Sequence, residues 1–322
     1  MTSTTQPRIT PDIAILRRRD QFDLADDRRI RKNLASGEWT RVTAGSYVLS
    51  VEWRRLRPLE RHRIVVSEVA RRLEPGAVLS HFAAAAEHGI DILGRWPRQV
   101  DVMIERATGG RSGGAVRRHA LGLEGVQRAP FGRHELTTPA QTALDLARVA
   151  PFLVAAAAVD QAVWIGREGG PLTTIDELIR LLSSEPRRRG DVRARRVLAF
   201  ADTGAANPRE TQAAHVLRRL GFPESRSQER RVLRSGRLVF GDRYFPEFDH
   251  WLEIDGRGKY LSPEFGDHRD PDEIVIDEKN RENEIRREVR GFSRLEATDF
   301  DDPRQVYDIL TADGLPSSQQ RP

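Results

Sequence analysis

Apolar positions along the chain fall into distinct spacings, and each spacing predicts a different piece of structure. Near the start, Ile30 and Leu34 stand four apart within Asp26–Gly37, the repeat of one helix face. Carboxylates open that segment, and Gly37 suits the position just past its end. Arg28, Arg29, Arg31 and Lys32 occupy its other faces. Two strand-like runs, 38–43 and 46–50, follow and are joined by Ala44-Gly45.

Farther on, Gln99–Glu105 alternates as a strand, and Gly114–His119 is placed to pair with it across a glycine-rich loop, 107–113. An alanine-rich helix covers Phe82–Glu87. A long helical stretch opens at Thr137-Thr138-Pro139 and runs to Trp164, and Thr174 with Glu177 has the spacing of a capping box. An arginine-rich helix spans Arg187–Phe200. After Asn207 comes a helix with Ala213, Val216, Leu217 and Leu220 on its buried side, then strands between Arg231 and Trp251. A charged helix opens at Asp270-Pro271 and reaches Val289, a strand covers Phe292–Ala297, and a short helix lies near Pro303–Thr311.

This order predicts an α/β multidomain protein. Residues 1–60 read as a winged helix-turn-helix, in which a basic helix enters the DNA major groove ahead of a short hairpin. Residues 61–205 read as a small α/β domain. Residues 206–315 follow the order helix, antiparallel strands, helix, strand, which implies a mixed sheet flanked by helices. The tail, 316–322, is expected to be disordered.

Charge sharpens the picture. Residues 1–140 carry 24 lysines and arginines against 16 aspartates and glutamates, whereas residues 207–322 carry 20 against 24. The front of the chain should therefore attract polyanions more than the back. With no cysteine, thiolate metal sites and cysteine nucleophiles are excluded, so any metal must be held by carboxylates, histidine or backbone oxygens. The first residues lack the apolar stretch of a signal peptide, and no run is long enough to span a bilayer, so a cytoplasmic protein is expected. His81 and His88 stand without metal-ligand company and read as core or surface histidines. The glycine-rich segment 109–114 lacks the Gly-Lys-Ser/Thr of a phosphate-binding loop.

Candidate chemistry is concentrated between Gly241 and Gly256. A hairpin centred on Glu247-Phe248 would place Asp242 opposite Glu253 on one face, with Asp255 on that face two residues on. Leu252 and Ile254 would point the other way, into a core. Clustered carboxylates repel, and a divalent cation relieves them; Mg²⁺ is satisfied by one or two carboxylates plus water and phosphate oxygens. Glu210 is placed either to join them or to cap its own helix from the third position after Asn207. The plainer alternative is a solvated acidic face.

Glu210, Asp242 and Glu253-Ile254-Asp255-Gly256 resemble the PD-(D/E)XK nuclease superfamily. Residues 253–260 and 277–283 are similar to motifs of actinobacterial proteins whose C-terminal domain is related to very-short-patch repair endonucleases. Residues 33–39 and 137–147 resemble segments of AbiEi-type antitoxins and regulators. The resemblance implies an Mg²⁺- or Mn²⁺-dependent endonuclease acting on double-stranded DNA, with Asp242, Glu253 and Asp255 as metal ligands and Glu210 in support. It also allows an antitoxin or transcriptional regulator whose nuclease-like domain is inactive and which meets a cognate toxin. The superfamily places a lysine where this chain has Asp255, and Lys259 or Lys279 would supply that charge from elsewhere. Arg28, Arg29, Arg31 and Lys32 are the expected DNA contacts.

Overall fold

The computed structural model describes residues 13–20, 24–105, 112–255 and 271–322. The chain is a mixed α/β protein of two compact units, residues 1–162 with 172–199, and residues 163–171 with 200–322. The front piece and most of the middle piece anticipated from the sequence fall within the first unit, with residues 163–171 and 200–205 of the middle piece in the second.

That unit begins with β1 (Leu16–Arg17), α1 (Leu24–Ala35), β2 (Trp39–Thr43) and β3 (Ser46–Leu49), followed by α2 (Ser50–Arg55) and α3 (Pro58–Ala70). The first sheet is antiparallel in the order β1-β3-β2. Ile30 is the buried anchor of α1. Gly37 and Gly45 adopt positive φ, at the end of the helix and in the hairpin turn respectively, where a Cβ would be strained. Glu68 of α3 is buried. It accepts from Arg17 at 2.7 Å and from Ser46 Oγ at 2.7 Å, which ties α3 to β1 and β3. Among the described residues, a 3₁₀ turn (Arg18–Asp20) and a single α-helix precede the hairpin.

Next come β4 (Val78–Leu79), α4 (His81–His88), β5 (Val100–Met103), β6 (Val116–His119), β7 (Arg128–Phe131) and β8 (His134–Thr137), in a sheet of order β6-β5-β4-β8-β7. The expected partners β5 and β6 do pair, but in parallel, with Asp101 beside Arg117. Parallel pairing excludes the two-stranded hairpin expected between them; residues 107–111 of the glycine-rich loop lie outside the described residues.

Four helices complete the unit: α5 (Pro139–Val149), α6 (Phe152–Val163), α7 (Ile175–Ser184) and α8 (Asp191–Leu198). The helical stretch expected up to Trp164 is divided into two helices. Pro151 drives Ala150 into extended backbone (ψ 158) and ends α5 there. Thr138 caps α5 and Thr174 caps α7 through their side chains. Buried Arg148 pairs with Glu185 at 2.6 Å and Asp191 at 2.9 Å, fastening α5 to the segment around α8.

The second unit contains α9 (Pro208–Arg219), β9 (Arg226–Val232), β10 (Leu238–Phe245), β11 (His250–Asp255), α10 (Pro271–Arg286), β12 (Gly291–Glu296) and α11 (Pro303–Ala312). Its sheet runs β12-β11-β10-β9. Strands β9, β10 and β11 are antiparallel, and β12 lies parallel to β11, so the connection between the last two must cross over; it carries α10. Phe245, Leu252, Ile254 and Leu295 pack with α9 and α11 on one face. Tyr244, Trp251 and Phe292 pack with Ile285 of α10 on the other.

The expected disordered tail is instead docked. Ser318 N donates to Gly221 O at 2.9 Å, Ser317 Oγ donates to Leu220 O at 2.5 Å, and Arg321 pairs with Asp308 at 2.6 Å. The physical reason is twofold: Leu315 is buried and anchors the segment, and the carbonyls at the end of α9 need donors. Among the described residues no helix is long and apolar enough to cross a membrane.

Candidate functional site

The β10–β11 hairpin fixes the geometry. Phe245 pairs with His250, Tyr244 with Trp251 and Arg243 with Leu252. The same register carried one step farther sets Asp242 opposite Glu253. The turn is a 3₁₀ segment, Pro246–Phe248, closed by Asp249 at φ 44. The Asp249 carboxylate accepts from Tyr244 Oη at 2.8 Å and Arg231 at 3.2 Å, which offsets the cost of that backbone. Glu253 and Asp255 alternate with Leu252 and Ile254, so the acids share the α10 side while the aliphatic residues fill the opposite core.

Each acid has a different environment. Asp242 Oδ2 accepts from Ile254 N at 2.7 Å, continuing the hairpin through a side chain. Its Oδ1 lies 3.4 Å from Gln228 Nε2, and that amide is also 3.4 Å from Glu210 Oε2. Gln228 therefore bridges the two carboxylates. Glu210 also caps its helix: it accepts from Ala206 N at 2.9 Å and Asn207 Nδ2 at 2.5 Å, while Asn207 accepts from Glu210 N. The capping role and the place beside Asp242 coexist. Burial, together with Asp242, raises Glu210 to about 7 against the stabilising hydrogen bond from Ala206.

Glu253 is 5% exposed. Arg281 Nη2 of α10 stands 2.9 Å from each of its oxygens and donates to Oε2; among the described residues Oε1 accepts no hydrogen bond. Burial pushes this carboxyl upward; Arg281 opposes the rise and Asp242 adds to it.

Asp255 lies elsewhere in charge terms. It is paired with Arg294 of β12, which also binds Glu278 at 3.0 Å and Glu282 at 2.6 Å, lacing α10 to the sheet. Lys279 is exposed on α10, and Lys259 lies outside the described residues. Among the described residues, no three His, Asp or Glu side chains stand together as a metal-holding group.

Sequence reasoning misses three participants: Gln228, Arg281 and Arg294. Arg281 lies inside the 277–283 run already singled out. Arg294 becomes apparent only from the parallel register that sets it beside Glu253.

On the first unit, Arg28, Arg29, Arg31 and Lys32 are all exposed on α1. Arg29 lies over the Trp39 ring at 5.6 Å, and Arg31 Nε donates to Asp27 O at 3.3 Å. None of the four forms an ion pair with a described carboxylate.

A second buried polar cluster sits at the β5–β6 pair. Asp101, 0% exposed, accepts from Arg117 Nε at 2.5 Å, His119 Nε2 at 2.7 Å and Phe82 N at 3.2 Å. His119 stacks on His81 at 3.7 Å, and His81 has φ 47. Burial and His119 lower His81 to about 3, so it is neutral and belongs to the core.

No family model matches the chain, and no curated protein matches it. One solved structure with detectable similarity is that of the RV2827C protein from Mycobacterium tuberculosis. It is 16% identical, covers 62% of this chain and 75% of that one, and superposes with a TM-score of 0.33. A likeness this loose carries no argument about fold or activity.

Proposed function

We propose that the second unit is a PD-(D/E)XK-type domain that hydrolyses phosphodiesters with a divalent cation, and that α1 of a winged-helix-like front region brings it to double-stranded DNA. The observation that carries the reading is the opposition of Asp242 and Glu253 next to Glu210, with two of these three acids pushed upward in pKa. The sequence α9, three antiparallel strands, α10 and a parallel strand supports the same reading.

The residues fit a hard cation. All the donors are carboxylate oxygens, one buried Glu253 oxygen accepts no hydrogen bond among the described residues, and Mg²⁺ needs only one or two protein carboxylates when phosphate and water supply the rest. Asp242 and Glu253 would hold it, with Glu210 in support; Asp255 is committed to Arg294. When bound, the cation supplies Lewis acidity and a more acidic water.

The chain's own groups do the rest. Glu210, titrating near neutrality, is suited to accept a proton from the attacking water. As the water oxygen bonds to phosphorus, the bond to the leaving oxygen breaks and that oxygen takes up a proton. Arg281, held against Glu253, provides fixed positive charge where the superfamily's lysine would otherwise act.

A second reading has its own observation. Asp255 stands in the lysine position and is locked to an arginine, as in a domain that binds nucleic acid or a toxin without cutting. Incubating purified protein with supercoiled plasmid and Mg²⁺ or Mn²⁺ separates the two. The nuclease reading expects nicking or linearisation that falls by about a hundredfold or more in Glu253→Ala, the scale on which catalytic electrostatic groups act. Duplex binding by the wild type without any cleavage would favour the regulator. Cleavage unchanged in Glu253→Ala would end the nuclease claim.

A further inference from the structure

We propose that the first unit carries a phosphate-ester binding site, separate from α1, in the cavity lined by Arg19, Arg63, Arg71 and Arg133. The cavity has a volume of about 490 Å³, the size range of nucleotide-scale ligand sites. It is walled by α3 and by the β7–β8 turn, with Arg19 reaching in from the 3₁₀ turn after β1. A second cavity of about 440 Å³ shares Arg19 and Arg71 and adds Arg17, Arg18 and Arg72.

Two of the four guanidinium groups are oriented by neutral carbonyls and so keep their charge. Arg63 donates to Ala86 O at 2.7 Å and Glu87 O at 2.8 Å. Arg133 donates to the carbonyls of Leu73 and Arg71. Arg71 is exposed at the end of α3, and no described carboxylate forms an ion pair with it. Among the described residues, the carboxylate Arg19 pairs with is Asp20, at 3.7 Å with both side chains more than half exposed, and such a pair adds little.

The acid in the second cavity, Glu68, is paired with Arg17 and accepts from Ser46, and it also feels the charge of Arg71. Glu87 is the one carboxylate among the residues lining the first. Ser67 adds a hydroxyl to the same wall. Scattered surface arginines avoid one another in water. Four lining one concavity beside a single carboxylate favour an anion there, and the planar fork of arginine matches phosphate oxygens pairwise. The phosphate would come from a nucleic-acid backbone or from a free nucleotide.

The site does not require the second unit to cut anything, so binding is measured on the full chain in EDTA. The probes are sodium pyrophosphate and ATP by calorimetry, and a labelled 20-base-pair duplex by anisotropy at low salt. Wild type should bind at least one class. Arg71→Glu should weaken that binding by tenfold or more, with Arg19→Glu acting in the same direction, because both side chains are exposed and their loss leaves the fold intact. Binding of pyrophosphate and ATP alone identifies a nucleotide site. Binding of the duplex, with a salt slope shallower by about one per arginine lost, identifies the backbone. Wild-type affinity in both variants for every probe, or no binding of any probe, would overturn the proposal.

Discussion

Two clusters in this protein bury carboxylates, and they have opposite electrostatic outcomes. Asp101 is fully buried in the first unit, yet its donors from His119 and Arg117 overcome burial and hold it below its ordinary range. Glu210 and Glu253 of the second unit are also buried, and both are held above theirs. The first cluster is neutralised by its own chain. In the second, burial raises both glutamates and Asp242 adds to the rise, which Arg281 opposes only at Glu253. On the proposed reading, the contrast separates a carboxylate that holds structure from a group of carboxylates that would take an external cation.

The sharpest way to break the comparison is to remove the neutralised acid. Asp101→Asn leaves partly exposed Arg117 and His119 facing a buried neutral amide. Breaking such a pair costs about 3 kcal/mol or more, which urea unfolding would register as a lower midpoint at unchanged slope. A loss well under 1 kcal/mol would mean that Asp101 is not the keystone of its cluster.

The two clusters should also respond to pH with opposite signs. The folded chain holds a proton on Glu210 up to about pH 7, against an ordinary value of 4.5. Glu210 therefore contributes stability that is fully present below pH 4.5 and lost as pH rises through 7. Asp101, held below 3.8, contributes stability that is present above pH 3.8 and lost as pH falls further. Glu210→Gln should flatten the stability profile between pH 5 and 8 by about 1–3 kcal/mol, because a tenfold change in proton affinity is worth about 1.36 kcal/mol. Stability-versus-pH curves for wild type and variant check this, and parallel curves would show that Glu210 is not charge-starved.

Much of the second unit was legible in the sequence because its signals are local. The Asp242–Glu253 opposition follows from one turn position, and the alternation of Leu252 and Ile254 with the acids follows from strand period. The helix start at Asn207 follows from capping chemistry, as does that at Thr174 in the first unit. What escaped is long-range. Arg294 reaches Asp255 only through a parallel pairing across a helical crossover, and the parallel choice between β5 and β6 leaves no mark in either strand. The docking of residues 316–322 depends on Leu315 finding a core built 95 residues and more earlier, around Leu217 and Leu220. Pro151 signals the break between α5 and α6, but the alanine-rich run on either side masks it. His81 reads from the sequence as a core or surface histidine. It is a core one, and its stack on His119 requires the sheet.

Metal-dependent stability tests the central claim most directly, because it asks whether the Asp242–Glu253 site takes a cation without asking whether it cuts. Thermal melts of wild type and Asp242→Asn are compared in EDTA and in Mn²⁺ or Mg²⁺. An asparagine oxygen can still accept from Ile254 N, so the metal-free variant should be as stable as wild type or more so. Wild type should gain about 2.7 kcal/mol at a hundredfold excess of metal over its dissociation constant, and the variant should lose most of that gain. A variant that is clearly less stable in EDTA but gains as much from metal as wild type would contradict the account, making Asp242 structural and placing the cation elsewhere.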